Sequence, residues 1–252
     1  MILRLWREVA MLSRLLPARE FSRWGGAMAR ALPAAIRGRS LGPVDRVFGD
    51  SFTIRGQPRG LSFSSCDLGV VREIFGQQCY GRAGDFARDR LIVDLGANCG
   101  VFTLFALVHA PESRVFAVEA QPEMIGALRG NLERNGLLPR VTVANVLAGG
   151  VCSPWAEDLL QRHPQVKVWD ASQMLPADQE IDFLKCDIEG AEYLLFAPVP
   201  AWFRRVRRFA LEYHGDWAQG SALGDRIRAA GFTVTQRAHR NLGYLNGARI
   251  DD

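Results

Sequence analysis

Four acids stand at the ends of four apolar runs in this 252-residue chain. Asp94 lies in 91–95, Glu119 ends 114–119, Asp187 ends 181–187, and Glu212 stands two residues before His214 at the end of 208–214. Each run is short and rich in Val, Ile, Leu or Phe, as a strand buried in a parallel sheet should be. Ligands of open α/β sheets bind beyond the C-terminal strand ends, so these carboxylates and the imidazole should meet at one cleft. There a carboxylate can hold a cationic ligand, accept from a pair of hydroxyls, or take a proton. His214 shares a strand face with Glu212 and titrates near neutral pH.

Asp94 is followed by Leu95-Gly96-Ala97-Asn98-Cys99-Gly100 and then the apolar helical run 101–108. Strand, Gly-rich turn and helix form a nucleotide-binding unit, because glycine admits close backbone approach and a helix N-terminus favours negative charge. The G-x-G-x-x-G of dinucleotide sites is missing, with Ala97-Asn98 filling the turn. An acid at Asp94 repels a pyrophosphate. It suits a ligand carrying an ammonium and a sulfonium, which is S-adenosylmethionine. Glu119, 25 positions after Asp94, fits the second-strand acid that accepts ribose hydroxyls. Cofactor contacts are therefore expected at Asp94, Gly96, Ala97, Asn98, Gly100, Glu119 and Ala120. Asn145 can bond an adenine edge, or simply form a turn.

Three blocks carry a resemblance: Val93-Asp94-Leu95-Gly96-Ala97-Asn98-Cys99-Gly100, then Val118-Glu119-Ala120-Gln121-Pro122, then Lys185-Cys186-Asp187-Ile188-Glu189-Gly190-Ala191-Glu192. Together the sequence resembles the FkbM family of S-adenosylmethionine-dependent methyltransferases, over roughly residues 70–249. The resemblance implies a doubly wound, mostly parallel seven-stranded sheet of the Rossmann-like class I methyltransferase type, with an antiparallel last hairpin. It also implies methyl transfer to hydroxyls of secondary metabolites or saccharides, and so a small-molecule or glycan acceptor. Elements before residue 91 would cover the cofactor pocket, with Tyr80 near the methionine end or simply packed.

Catalysis is assigned to Asp187, Glu212 and His214. Methyl transfer from a sulfonium needs the acceptor positioned and its proton removed. His214 can be that base. Alternatively Asp187, Glu212 and His214 hold a divalent cation that acidifies the acceptor hydroxyl. Glu189 and Glu192 are either part of this set or a helix-start cluster neutralising Lys185. Trp155, Trp169, Trp202, Tyr213 and Trp217 fall in segments that would ring the cleft. A nucleotide-dependent oxidoreductase and a non-catalytic S-adenosylmethionine-binding module are the competing readings.

These residues require alternating strands and helices, which the core supplies: strands at 91–95, 114–119, 141–145, 181–187 and 208–214, then two closing strands. Three regions are expected: a basic amphipathic helical extension at 1–45, a small β/α cap at 46–90 with a hairpin inside 47–63, and the core at 91–252. The first helix should end at Pro17, and 37–43 reads as a linker. A basic amphipathic helix can meet an anionic membrane surface or another subunit. Hydrophobic residues make up 48% and charged residues 23%, ordinary for a globular protein. The net charge is +4 and nearly all arginine, without the aromatic interleaving of a nucleic-acid surface. No apolar run reaches the 18 residues of a membrane span. Five irregularly spaced cysteines, with no C-x-x-C, read as reduced residues of a cytoplasmic protein.

Overall fold

The computed structural model describes residues 2–38, 41–56, 60–169, 175, 179–239 and 241–250. Helix α1 (Ile2–Leu15) stops just before Pro17. Helix α2 (Ala18–Gly38) buries Trp24, Ala27, Ala31 and Ala35, a stripe at helical spacing. Of the linker expected at 37–43, residues 39–40 lie outside the described residues, and 37–38 and 42–43 are helical. α2 runs to Gly38, and α3 (Gly42–Phe48) begins with Pro43 in its first turn, where no N–H is needed.

Strands β1 (Ser51–Ile54) and β2 (Leu61–Ser64) form the expected hairpin, Phe52 opposite Phe63. Next, α4 (Leu68–Val71) starts on an Asp67 cap and continues as a π-turn over Arg72–Gly76. Buried in that turn, Arg72 donates to Glu8 of α1 at 3.3 Å and to Asp45 of α3 at 3.1 Å. One guanidinium thus joins three N-terminal elements. Burial pushes the Asp45 carboxyl up to about 6, and the Arg72 charge pulls the other way.

The core follows the alternation of strand and helix: β3 (Leu91–Leu95), α5 (Val101–His109), β4 (Arg114–Glu119), α6 (Pro122–Arg134), β5 (Val141–Leu147), α7 (Pro154–Arg162) and β6 (Lys167–Val168). Then come β7 (Ile181–Cys186), α8 (Glu192–Leu195), β8 (Val206–His214), α9 (Trp217–Ala229), β9 (Phe232–His239) and β10 (Leu242–Arg249). The sheet order is β6-β5-β4-β3-β7-β8-β10-β9. β3, β4, β5, β7 and β8 run parallel, and β10 is antiparallel to both β8 and β9. This is the doubly wound sheet with an antiparallel closing hairpin. The two-residue β6 extends its edge to eight strands. Chain order reverses between β3 and β7, so the ligand crevice belongs at their C-terminal ends.

The pleat sorts β3 between two apolar layers. Ile92 joins the layer built with α5, α6, the hairpin and the N-terminal helices, while Val93 and Leu95 join the layer on the opposite face. Period two sends Asp94 to the Ile92 side, beneath α5. On α6, Asn131 and Asn135 stand one turn apart and treat β2 as a neighbouring strand. Their side-chain oxygens accept from the amides of Ser64 at 2.8 Å and Ser62 at 3.0 Å. Their Nδ2 groups donate to the same residues' carbonyls at 3.1 and 2.8 Å. Buried edge groups of β2 are thereby satisfied.

The expectation of five reduced cysteines is corrected. Cys66, just after β2, and Cys99, in the Gly-rich turn, form a disulfide with Cα atoms 6.0 Å apart. The pairing spans 33 positions and arises from the hairpin packing onto α6 next to the turn, which irregular spacing does not reveal. Cys79, Cys152 and Cys186 are free. No described helix is long and apolar enough to cross a membrane.

Replacing Arg72 with Met leaves Glu8 and Asp45 buried without their cation. The Arg72→Met protein should lose about 3–5 kcal/mol in urea unfolding at pH 8. The loss should shrink at pH 5, where the stranded Asp45 carboxyl takes up its proton. An equal loss at both pH values would show that packing, not charge, is what Arg72 supplies.

Candidate active site

At the C-terminal ends of β3, β4 and β7 lies a cavity of about 260 Å³. Its floor is the turn after β3. Gly96 has φ +75° and a Cβ there would stand 1.7 Å from the Asp187 carbonyl oxygen, so only glycine fits. Asn98 also takes a positive φ, 50°, which Asn tolerates better than most residues. Gly96, Ala97 and Asn98 line the cavity, as do Glu119, Ala120 and Gln121 at the end of β4. Both Glu119 oxygens are oriented by backbone amides: Asn98 N–H donates to Oε2 and Gln121 N–H to Oε1, each at 2.8 Å. Burial raises the Glu119 pKa, partly offset by those amide bonds.

Asp94 does not reach this cavity. It is fully buried beneath α5, accepting from Thr103 Oγ at 2.7 Å on Oδ2 and facing Lys185 Nζ at 3.2 Å from Oδ1. Asp94 is expected from the sequence to contact the ligand; the pleat turns it under the helix, and it is not among the residues that line the cavity. Its work is to hold Lys185, its register partner on β7. The Lys185 ammonium donates to the carbonyls of Gly96 at 2.5 Å and Leu95 at 3.2 Å, with Asp187 Oδ2 at 3.8 Å. Burial pulls the Lys185 pKa down, but Asp94 and Asp187 outweigh it and hold the value above that of an ordinary lysine. A fixed cation thus pins the turn that floors the cavity.

Two further residues expected at the cofactor do not line the cavity. Asn145 spends its Nδ2 on the carbonyls of Glu119 and Ala120, at 2.9 and 2.8 Å, so it braces the turn after β4 rather than reading a base. Gly100 caps α5 with φ +87°, where a Cβ would meet Leu128 at 2.5 Å; it serves packing, away from the cavity.

Asp187 and Glu212 form the opposite wall with Tyr80. The Tyr80 hydroxyl lies 2.9 Å from Asp187 Oδ2 and 2.9 Å from Glu212 Oε2, so one O–H serves two carboxylates. Burial and the Asp187 charge push Glu212 up to about 7. Burial, Asp187 and Glu212 together keep the Tyr80 phenol protonated. His214 faces three acids: Glu192 at 3.4 Å on Nδ1, and Glu189 at 3.3 Å and Glu212 at 3.9 Å on Nε2. Its bond to Glu192 lifts the pKa to about 9 against the opposing effect of burial. A protonated imidazole donates rather than accepts at neutral pH, which does not suit His214 to the base role expected of it. Asp187, Glu212 and His214 offer ligand atoms within 4.8 Å of one another, a spacing that could accept one cation.

Of the aromatic residues, Trp155 lines the cavity. Trp169 packs on Trp202 with ring centroids 5.4 Å apart, Tyr213 is fully buried, and Trp217 is exposed outside the cavity wall. Sequence reasoning missed Thr103 and left Glu192 open between the catalytic set and a helix-start cluster. Glu192 is fully buried and also accepts from the amides of His214 at 2.7 Å and Gly190 at 2.8 Å. A Glu at the start of a helix does not reveal its partner on β8.

The Methyltransferase FkbM domain family matches residues 94–244, and the chain belongs to that family. It is 36% identical over 89 residues to 31-O-demethyl-FK506 methyltransferase FkbM of Streptomyces tacrolimicus, covering 33% of this chain and 34% of that protein. It is 28% identical over 158 residues to Methyltransferase 1 of Beauveria bassiana (strain ARSEF 2860), covering 49% and 63%. The matches thus span less than two thirds of these relatives' own lengths. The N-terminal domain of human METTL16 in complex with SAH superposes with a TM-score of 0.45 at 15% identity, covering 73% of this chain and 69% of that one, too distant to bear on the site.

The raised His214 pKa gives a test of the Glu192 pair. A value of about 9, against an ordinary 6.5, stabilises the fold fully below pH 6.5, and the gain is lost as pH rises through 9. His214→Gln should therefore cost about 1–2 kcal/mol at pH 6 and little at pH 10 in urea unfolding. A cost that is the same at both pH values contradicts the ion pair.

Proposed function

We propose that this chain is an S-adenosylmethionine-dependent methyltransferase that methylates a hydroxyl of a small-molecule or glycan acceptor. The observation that carries this reading is Glu119, whose two oxygens are aimed into the cavity by the amides of Asn98 and Gln121. A carboxylate so oriented suits two vicinal ribose hydroxyls. When bound, S-adenosylmethionine supplies a methyl group already activated on a sulfonium. The chain's own part is to hold and orient. Glu119 takes the ribose hydroxyls, and the Gly96–Asn98 backbone takes the amino-acid end. Residues of the cap, Ile74 and Tyr80 among them, keep water from the reacting centre.

The acceptor's proton goes to the Asp187 and Glu212 pair. Above about pH 7 Glu212 is ionised, and Tyr80 steadies the two carboxylates by its hydroxyl. His214 stays charged and balances the acids around it. A hydroxyl acceptor is supported by the O-methyl chemistry in the name of the Streptomyces tacrolimicus relative. A second reading puts a divalent cation on Asp187, Glu212 and His214, supported by their 4.8 Å spacing. It would have to displace the proton that the neighbouring acids keep on His214.

Transfer of labelled methyl from S-adenosylmethionine to a panel of hydroxylated saccharides and polyketides tests the reading; binding without transfer to any of them favours a non-catalytic module. Activity should rise through pH 7 as Glu212 loses its proton, and Asp187→Asn should lower kcat by about 10²–10⁴. A strong chelator should leave that activity unchanged, whereas its loss, restored by a divalent cation, selects the metal reading. Glu119→Ala should weaken S-adenosylmethionine binding by about 1–3 kcal/mol in calorimetry, and unaltered affinity would take Glu119 out of the site.

A further inference from the structure

The three N-terminal helices sort their charges in a way the catalytic cleft does not require. Residues 2–48 contain three acids, Glu8, Glu20 and Asp45, and all three are buried. Glu8 and Asp45 face inward to Arg72, and Glu20 is paired with Arg23. The arginines do the opposite. Arg7, Arg14, Arg19, Arg30, Arg37 and Arg46 are exposed, with no ion pair among the described residues. On α1, Arg7 and Arg14 are seven residues apart and share a face; on α2, Arg23, Arg30 and Arg37 repeat at the same interval. The outer surface of these helices is therefore cationic without relief.

Apolar side chains are exposed beside those arginines. Trp6 is 67% exposed, Ile36 47%, Val47 46% and Leu32 39%. Leu32 and Ile36 stand one turn apart on α2, flanking the buried Ala31 and Ala35 and on the other side of the helix crest from Arg30 and Arg37. Apolar residues set next to unpaired arginines match an interfacial helix, whose hydrophobic side chains enter the acyl boundary while its cations meet phosphate headgroups. A nucleic-acid backbone would use the arginines and leave Leu32 and Ile36 facing water.

We infer that the α1–α3 face docks on an anionic lipid surface. The docked face is linked to the cavity through one turn. α1 packs on Arg72–Gly76 through Glu8 and Arg72, and Glu73 and Ile74 of that turn line the cavity. Docking so seats the enzyme at a bilayer without using any residue of the site.

The full-length protein should co-sediment with vesicles of phosphatidylcholine and phosphatidylglycerol at 3:1, and not with phosphatidylcholine alone. Raising salt from 0.1 to 0.5 M should release it. The triple variant Arg30→Gln, Arg37→Gln, Arg46→Gln should bind at least about tenfold more weakly. Leu32→Ser with Ile36→Ser should weaken binding at unchanged salt dependence. These positions are exposed, and unchanged circular dichroism and S-adenosylmethionine affinity in each variant verify that the fold is intact. Equal binding to neutral and anionic vesicles, or none to either, overturns the inference. So does tighter binding to duplex RNA than to anionic vesicles, or a dimer whose formation the Leu32 and Ile36 substitutions abolish.

Discussion

A buried ammonium governs this site. Lys185 lies within the sheet between Asp94 and Asp187 and donates to the carbonyls of Leu95 and Gly96. Those two carbonyls belong to the strand end and the turn that floor the cavity, so the ion pair is also a clamp on backbone. Asp94 Oδ1 has no aligned hydrogen bond and is compensated by charge, which makes the lysine indispensable to it. An unpaired carboxylate at that depth would cost several kcal/mol. Because the lysine keeps its charge, it also fixes the position of Asp187 on the opposite side of the cavity.

From that clamp the rest of the cleft follows. A turn held in place lets the Asn98 amide meet Glu119, and Glu119 in turn is held by the Gln121 amide. Across the cavity a phenol spans Asp187 and Glu212, closing the wall from the cap side. Behind Glu212, His214 is buffered by Glu192, an acid buried for that purpose. The arrangement keeps one region suited to receive a proton and its neighbour suited to keep one. Arg72 does for the cap what Lys185 does for the core, collecting acids from separate elements around a single cation.

Much of this was legible in the sequence because the strands are short apolar runs set off from the helices by turn residues. The order of the core units, the hairpin at 51–64 and the convergence of Glu119, Asp187 and Glu212 on one cleft follow from periodicity and strand ends. What did not follow depends on side-chain direction and distant partners. Asp94 reads as a strand-end ligand, yet the alternation that buries Ile92 also turns Asp94 under α5. Asn145 reads as a base-contacting amide, yet two carbonyls of the adjacent turn claim it. His214 reads as a base because Glu192, 22 positions earlier, is invisible as its partner. The Cys66–Cys99 bridge and the helix across 37–38 escape for similar reasons: each is decided by packing against elements elsewhere in the chain.

The most direct test of the central claim is a crystal structure of the protein with S-adenosylhomocysteine. The account predicts the ribose hydroxyls on the Glu119 carboxylate and the amino-acid end on the Gly96–Asn98 backbone, with Asp94 still paired to Lys185 beneath α5. A ligand bound elsewhere, or an Asp94 swung out of the sheet to meet it, would contradict it.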